Sequence, residues 1–305
     1  MYVASRRAPA RRRRRYAADE LRAAALFLSP ALVVLAVFVL YPIADAARIS
    51  LTDWDGFSPE STFIGLGNYA RLAGDEEFWN SLGVTVVYGS GVTLLSIASG
   101  LAVALLLDAP FRGRGFYRGI YFLPTVTSSV AAAVVWRYML DPAGFVNGVL
   151  AHLGLEGRDW LQERWSALAA LILLTVWKNV GLNAILYLTA LQTLPASVYE
   201  AAQLDGASAW QRFRRITFPL LAPMTFFVVI QALITCFQAF DLVYVLTGGG
   251  PRGGTEVLGM FMYREAFRLG DFGYGAAIAF VTLALVLGVS LVQARVSGAL
   301  RTGES

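Results

Sequence analysis

Apolar residues gather along this chain into six runs, separated by polar stretches. The runs cover about Ala23 to Ile43, Leu82 to Leu107, Gly119 to Leu140, Ser166 to Ala190, Ile216 to Phe240 and Tyr274 to Gln293. About 20 helical residues cross a hydrocarbon layer of ~30 Å. The pattern therefore predicts an all-α polytopic membrane protein with six transmembrane helices. The third run is the most diluted, by Pro124, Thr125, Thr127, Ser128 and Ser129. Ala44-Asp45-Ala46 after the first run mimics a signal cleavage site. The run is longer than the roughly 7–15 residues of a signal core, so it reads as a span. In the second run, Ser96-xxx-Gly100 suits close helix packing, within this chain or against a partner.

One polar stretch is too patterned for a plain linker: Glu200-Ala-Ala-Gln-Leu-Asp-Gly-Ala207, continuing to Pro223. Ser197-Val-Tyr-Glu200 has the capping-box spacing, with Pro195 just before it. Gly206 closes a helix of about two turns, where left-handed backbone costs least. Asp205 is placed to cap a second helix, with Trp210, Phe213 and Ile216 on one side. Arg212, Arg214 and Arg215 follow at the membrane edge, suited to lipid phosphates. Elsewhere, Asn68 to Trp79 reads as a short surface helix. Thr247-Gly-Gly-Gly-Pro251 reads as a flexible loop between Val245 and Thr255. Residues 1–22 read as a disordered basic arm, 23–293 as the six-span transmembrane body with a polar loop at about 194–216, and 294–305 as a tail.

Composition agrees with a membrane protein. The chain is 57% hydrophobic and 15% charged, against about a quarter charged in soluble domains. If the N-terminus is inside, the inside segments are 1–22, 108–118, 191–215 and 294–305, with 16 of the 25 basic and 6 of the 21 acidic residues. The outside loops hold the other 15 acids. This asymmetry predicts both termini in the cytoplasm. The Arg11 to Arg15 run then reads as a membrane anchor, not a nucleic-acid arm.

What is missing narrows the chemistry. The one lysine, Lys178, sits between Trp177 and Asn179, so no phosphate-binding P-loop is present. The one histidine, His152, lies in a predicted outside loop, which excludes a His-based metal site or Ser-His-Asp triad within the membrane. Cys236 has no second cysteine to pair with. No catalytic residue, metal ligand or bound cofactor is legible, so any energetic work draws on another subunit. Lys178 lies midway along its span, where an ionisable group is expensive. Thr175, Lys178, Asn179 and Leu182 share one helical face, and Gln231, Thr235 and Gln238 form a second polar stripe. Both stripes are candidates to line a polar path through the membrane, with Trp177 or Tyr187 offering a stacking face. The alternative is hydrogen bonding to a partner subunit.

The polar stretch resembles the signature loop of ABC importer permeases: Glu-Ala-Ala, a following Gly, then Ile-x-Leu-Pro. Glu200, Ala201, Ala202, Asp205, Gly206, Ala207, Ile216, Pro219 and Pro223 match it, and Phe218 replaces the usual Leu. Gly65, Asn68-Tyr69, Phe78-Trp79, Arg112-Gly-Arg-Gly-Phe116, Phe122-Leu-Pro124, Trp136, Trp177-Lys178, Gln192, Pro195 and Thr247-Gly-Gly-Gly-Pro251 are similar to the sugar-permease branch. The resemblance covers almost the whole chain. It implies a type I ABC importer permease fold in a bacterial cytoplasmic membrane. It also implies a second permease, a cytoplasmic ATPase dimer that uses the ATP, and an extracytoplasmic substrate-binding protein. In that family the loop is a coupling helix docked on the ATPase. The implied cargo is a sugar or a related solute such as glycerol 3-phosphate, another polyol or a peptide. A non-transport membrane assembly protein is the alternative from another class.

Overall fold

The computed structural model describes residues 10–110 and 112–296. Helix α1 (Ala10–Leu35) runs through a π-helical turn at Ala36–Leu40 into α2 (Tyr41–Ile49). A hairpin of β1 (Thr52–Asp53) and β2 (Thr62–Phe63) leads to α3 (Gly67–Gly74) and α4 (Glu76–Asp108). Then come α5 (Arg114–Val126), α6 (Ser129–Met139), α7 (Phe145–His152) and α8 (Arg164–Gln192). The polar insert forms α9 (Ala196–Leu204), α10 (Ala209–Arg212), a π-helical turn at Phe213–Thr217 and α11 (Phe218–Leu220), and leads into α12 (Ala222–Phe237). Helices α13 (Asp241–Leu246) and α14 (Leu258–Tyr263) and a π-helical turn at Arg264–Arg268 precede α15 (Phe272–Val296).

Four helical stretches are long and apolar enough to cross a membrane: Ala23–Ile49, Glu76–Asp108, Arg164–Gln192 and Phe272–Gln293. Two more regions are bent pairs, by 97° between α5 and α6 and by 63° where α10–α11 meets α12. Counting each pair once gives the six spans of the sequence pattern. The third region is not the single run that its apolarity suggests. Pro124 removes a helical N–H, and Thr127 and Ser128 take extended backbone with ψ of 147° and 132°. Helix α4 starts earlier than its apolar run, because Asp75 caps it by accepting from the N–H groups of Glu77 and Phe78. The predicted surface helix is thus divided between α3 and the first turn of α4. Backbone is helical from Ala10, where a disordered arm was expected; Ala and Arg both favour helix. Residues 1–9 and most of the expected tail, 297–305, lie outside the described residues.

Helices α4 and α8 form the centre of the bundle. A Cβ on Gly91 would lie 2.8 Å from Ile172, and one on Gly100 would lie 2.7 Å from the Asn183 Cβ. The small residues of the second span therefore serve packing inside this chain. Helix α12 lies against α4, α5 against α8, and α13 against α6. The first span differs: residues 23–44 are all exposed. Among the described residues, nothing covers its apolar surface.

One end of the bundle gathers residues 45–80, 140–164 and 239–272. An ion-pair network holds it together. Arg264 pairs with Glu77, Glu256 and Glu265, and Arg71 pairs with Glu265 and Asp271. Arg71 also stacks on the Tyr274 ring at 3.8 Å, and the Tyr274 hydroxyl donates to Asp75. Burial pushes the carboxyls of Glu256 and Glu265 up from their ordinary range, and the arginines oppose it. Arg264→Ala leaves the buried Glu256 carboxylate without a cation and leaves Glu265 only Arg71, at 3.7 Å. It is expected to cost about 3–5 kcal/mol at pH 7, read as a lower unfolding temperature of the purified protein. The loss shrinks on acidification, because carboxylates with raised pKa take up protons in the folded state first.

The glycine-rich segment at this end is more ordered than a flexible loop. Thr255 Oγ1 donates to the Gly250 carbonyl at 2.7 Å, the Thr247 and Thr255 hydroxyls meet at 2.7 Å, and Asn80 donates to the Gly253 carbonyl at 3.0 Å. Its glycines supply positive φ at 248, 249 and 253, so the chain folds back on itself.

Candidate functional site

The polar insert follows directly from α8. Pro195 is the N-cap of α9, so the helix starts ahead of the predicted capping box. Ser197 lies inside the first turn, and no side chain caps this end. Glu200 is exposed, with its carboxylate free of the Ser197 bond that its spacing suggested. The other end of α9 closes as expected. Gly206 has φ +75°, its N–H donates to Gln203 and the Ala207 N–H donates to Ala202. This is the two-bond Schellman ending that satisfies terminal carbonyls. Asp205 belongs to that ending and does not cap α10. Ser208 does: its hydroxyl accepts from Gln211 N–H and the Gln211 side chain accepts from Ser208 N–H.

The insert is tied down on one side only. Tyr199 and Thr217 hydroxyls meet at 3.0 Å, and Trp210 stacks on Phe213 at 5.5 Å. On the free side, Glu200, Ala201, Gln203, Leu204, Asp205 and Gly206 are exposed, and Ala202 and Ala207 are half-buried. Leu204 is 90% exposed. It stands at the tip of the two-helix hook, open to contact from outside this chain. Its place inside the Glu200–Gly206 pattern was visible in the sequence, but its role was not singled out.

Deeper in the bundle, α4, α8 and α12 enclose a small polar cavity. Ser96, Asn179, Asn183, Gln231 and Thr235 line it, with Val92 and Ala232, and it has room for about one water. Asn179 donates to the Thr175 carbonyl and Thr235 to the Gln231 carbonyl. The amides of Asn183 and Gln231 face the cavity without a partner among the described residues. Every lining side chain is uncharged. The site therefore suits hydroxyl groups, which both donate and accept.

Of the residues expected along the pathway, Asn179, Gln231 and Thr235 meet here. Thr175 does not: it is fully buried against α4, bonded to the Tyr88 hydroxyl at 2.8 Å. Trp177 faces Trp136, with ring centroids 5.9 Å apart, at a separate apolar cavity of about 340 Å³. Gln238 continues the α12 stripe into an aromatic-lined cavity of about 390 Å³ with Phe240, Tyr263 and Phe267. Lys178 turns away towards α5, where its Nζ donates to the carbonyls of Thr127 at 2.7 Å and Pro124 at 3.4 Å. Successive helical residues point about 100° apart, which is why Lys178 and Asn179 reach different neighbours. Asn183 was not picked out beforehand, and Ser96 was picked out only for helix packing. Asn183 was findable, four residues after Asn179 and so on the same face.

A bent six-span bundle with a polar cavity at its middle and an exposed hook at one end is the architecture of a membrane transport component. The chain belongs to the family described as binding-protein-dependent transport system inner membrane components, matched over residues 96–302. It is 38% identical over 272 residues to the trehalose/maltose transport system permease protein MalF of Thermococcus litoralis, covering 89% of this chain and 92% of that one. It is 39% identical over 273 residues to the probable ABC transporter permease protein YurN of Bacillus subtilis, covering 88% and 93%. Its fold matches the crystal structure of a bacterial ABC transporter involved in the import of the acidic polysaccharide alginate. There the TM-score is 0.81 at 23% identity, over 95% of this chain and 100% of that chain.

Proposed function

We propose that this chain is the permease subunit of an ATP-driven importer that carries a neutral sugar through the α4–α8–α12 region. The observation that carries the coupling part is the hook: a Schellman-closed α9 presenting Glu200 and a 90% exposed Leu204, continuous with the helix that lines the polar cavity. A cytoplasmic ATPase dimer uses ATP and holds this surface, while the chain itself binds no cofactor. Closure of the ATPases moves α9, and α8 carries the movement to the cavity. A second permease covers the bare first span. An extracytoplasmic binding protein delivers the sugar at the end built around Arg264.

The charge asymmetry supports this orientation, with both termini and the hook in the cytoplasm. Relatives named for trehalose/maltose and lactose favour a sugar. One relative is named for sn-glycerol 3-phosphate. The uncharged cavity lining, with Lys178 turned away, favours a neutral solute over that anion. Leu204→Asp is the test. It is expected to leave membrane insertion unchanged and to lower the ATPase subunit that co-purifies by about tenfold or more. Unchanged co-purification would remove the hook as the docking surface.

A further inference from the structure

A helix that ends inside a membrane leaves carbonyls without partners, at a cost of several kcal/mol each when water is absent. Helix α5 ends this way, at the 97° break before α6. Lys178 answers the need from α8: its ammonium donates to the Thr127 carbonyl and, at longer range, to the Pro124 carbonyl, which the Thr127 N–H and hydroxyl already serve. Thr125 answers in return, its hydroxyl donating to the Lys178 carbonyl at 2.9 Å. A cation at a helix C-terminus also meets the negative end of the helix dipole. Three residues further on, α8 touches α5 backbone to backbone: a Cβ on Gly181 would lie 2.2 Å from the Tyr121 carbonyl oxygen. Helix α6, beyond the break, packs mainly on α13 and touches α8 through the Trp136–Trp177 contact.

We propose that Lys178 is a positioning residue: it pins α5 to α8 and holds the α5–α6 break open, so that the two halves of the third span move separately. The pin sits one residue from Asn179 of the polar cavity. Movement of α8 is thereby passed to α5, while α6 stays with α13. Without the ammonium, the Thr127 carbonyl is left bare and recovers a partner by closing a helical bond across the break, and the pair straightens.

The inference deepens the transport reading and rests on it for the uptake measurement only. The test places spin labels at Phe116 on α5 and Tyr138 on α6, which are 71% and 74% exposed. Cys236 is replaced by Ala, and the assembled, substrate-free complex is used. A straight helix would separate the labelled positions by about 33 Å, and two equal arms at the 97° bend by about 20 Å. Wild type and Lys178→Arg are expected to give the short distance, and Lys178→Met a shift of several ångströms to longer values. Uptake by the Met variant should fall in maximal rate with unchanged KM, and Arg should restore it. A raised KM with an unshifted distance would mean that Lys178 touches the sugar, and it overturns the proposal. If Lys178→Met does not assemble, Thr125→Val reads the same joint: its distances should broaden towards the long value, and an unbroadened distribution overturns the proposal. If the chain carries no sugar, uptake is absent in wild type too, and the distances still decide.

Discussion

Gly206→Pro is expected to abolish sugar uptake while the chain still inserts at wild-type amounts. Three features of the site conflict with proline. Its φ is fixed near −65°, and the position has φ +75°. Its missing N–H removes the bond to Gln203. Its ring also disfavours the near-helical backbone of Asp205, at φ −74° and ψ 0°. The combined strain, about 3 kcal/mol or more, is relieved by opening the end of α9, which carries Leu204. Gly206→Ala is the control. No atom lies within 4 Å of the added Cβ, so only the left-handed backbone is penalised, by about 1–2 kcal/mol. Its uptake should fall only severalfold. Membrane fractions probed for the chain, beside uptake in the assembled transporter, separate lost coupling from lost insertion.

The second large effect concerns the cavity. Replacing Asn183 and Gln231 together by Leu keeps the bulk and removes the two unpartnered amides. Each lost hydrogen bond to a sugar hydroxyl is worth about 0.5–1.5 kcal/mol. A site that then leaves the sugar's own hydroxyls bare is penalised further. Uptake is expected to fall about 100-fold, with each single variant in between. Thr175→Val makes the contrast. Its hydroxyl is spent on Tyr88 and Leu171, so the variant should lower stability and leave sugar discrimination unchanged.

Much of this was legible in the chain, and the misses share physical causes. Apolar runs located all six spans, because hydrocarbon thickness sets their length. They could not show the 97° break at Thr127–Ser128, because apolarity carries no record of direction. Pro124 was the available hint. Gly206 was readable because left-handed backbone has a residue preference of its own. The Ser197–Glu200 box was not realised because Pro195 starts α9 first, and the same device formed at Ser208 and Gln211. Lys178 and Asn179 were grouped on one face, yet 100° of helical rotation sends one to α5 and the other to the cavity. Which neighbour waits on each side is tertiary information that helical periodicity does not contain. The uncovered first span likewise has its explanation outside this chain.

This subunit is proposed to receive its energy through the tip of α9. The most direct measurement is a photocrosslinking side chain at position 204 in the assembled complex, with position 66 at the opposite end as control; both leucines are exposed, by 90% and 69%. The account predicts a crosslink from 204, and none from 66, to a nucleotide-binding subunit, with a yield that changes when ATP is added. A complex that takes up sugar with ATP but gives no such crosslink at 204 would contradict it.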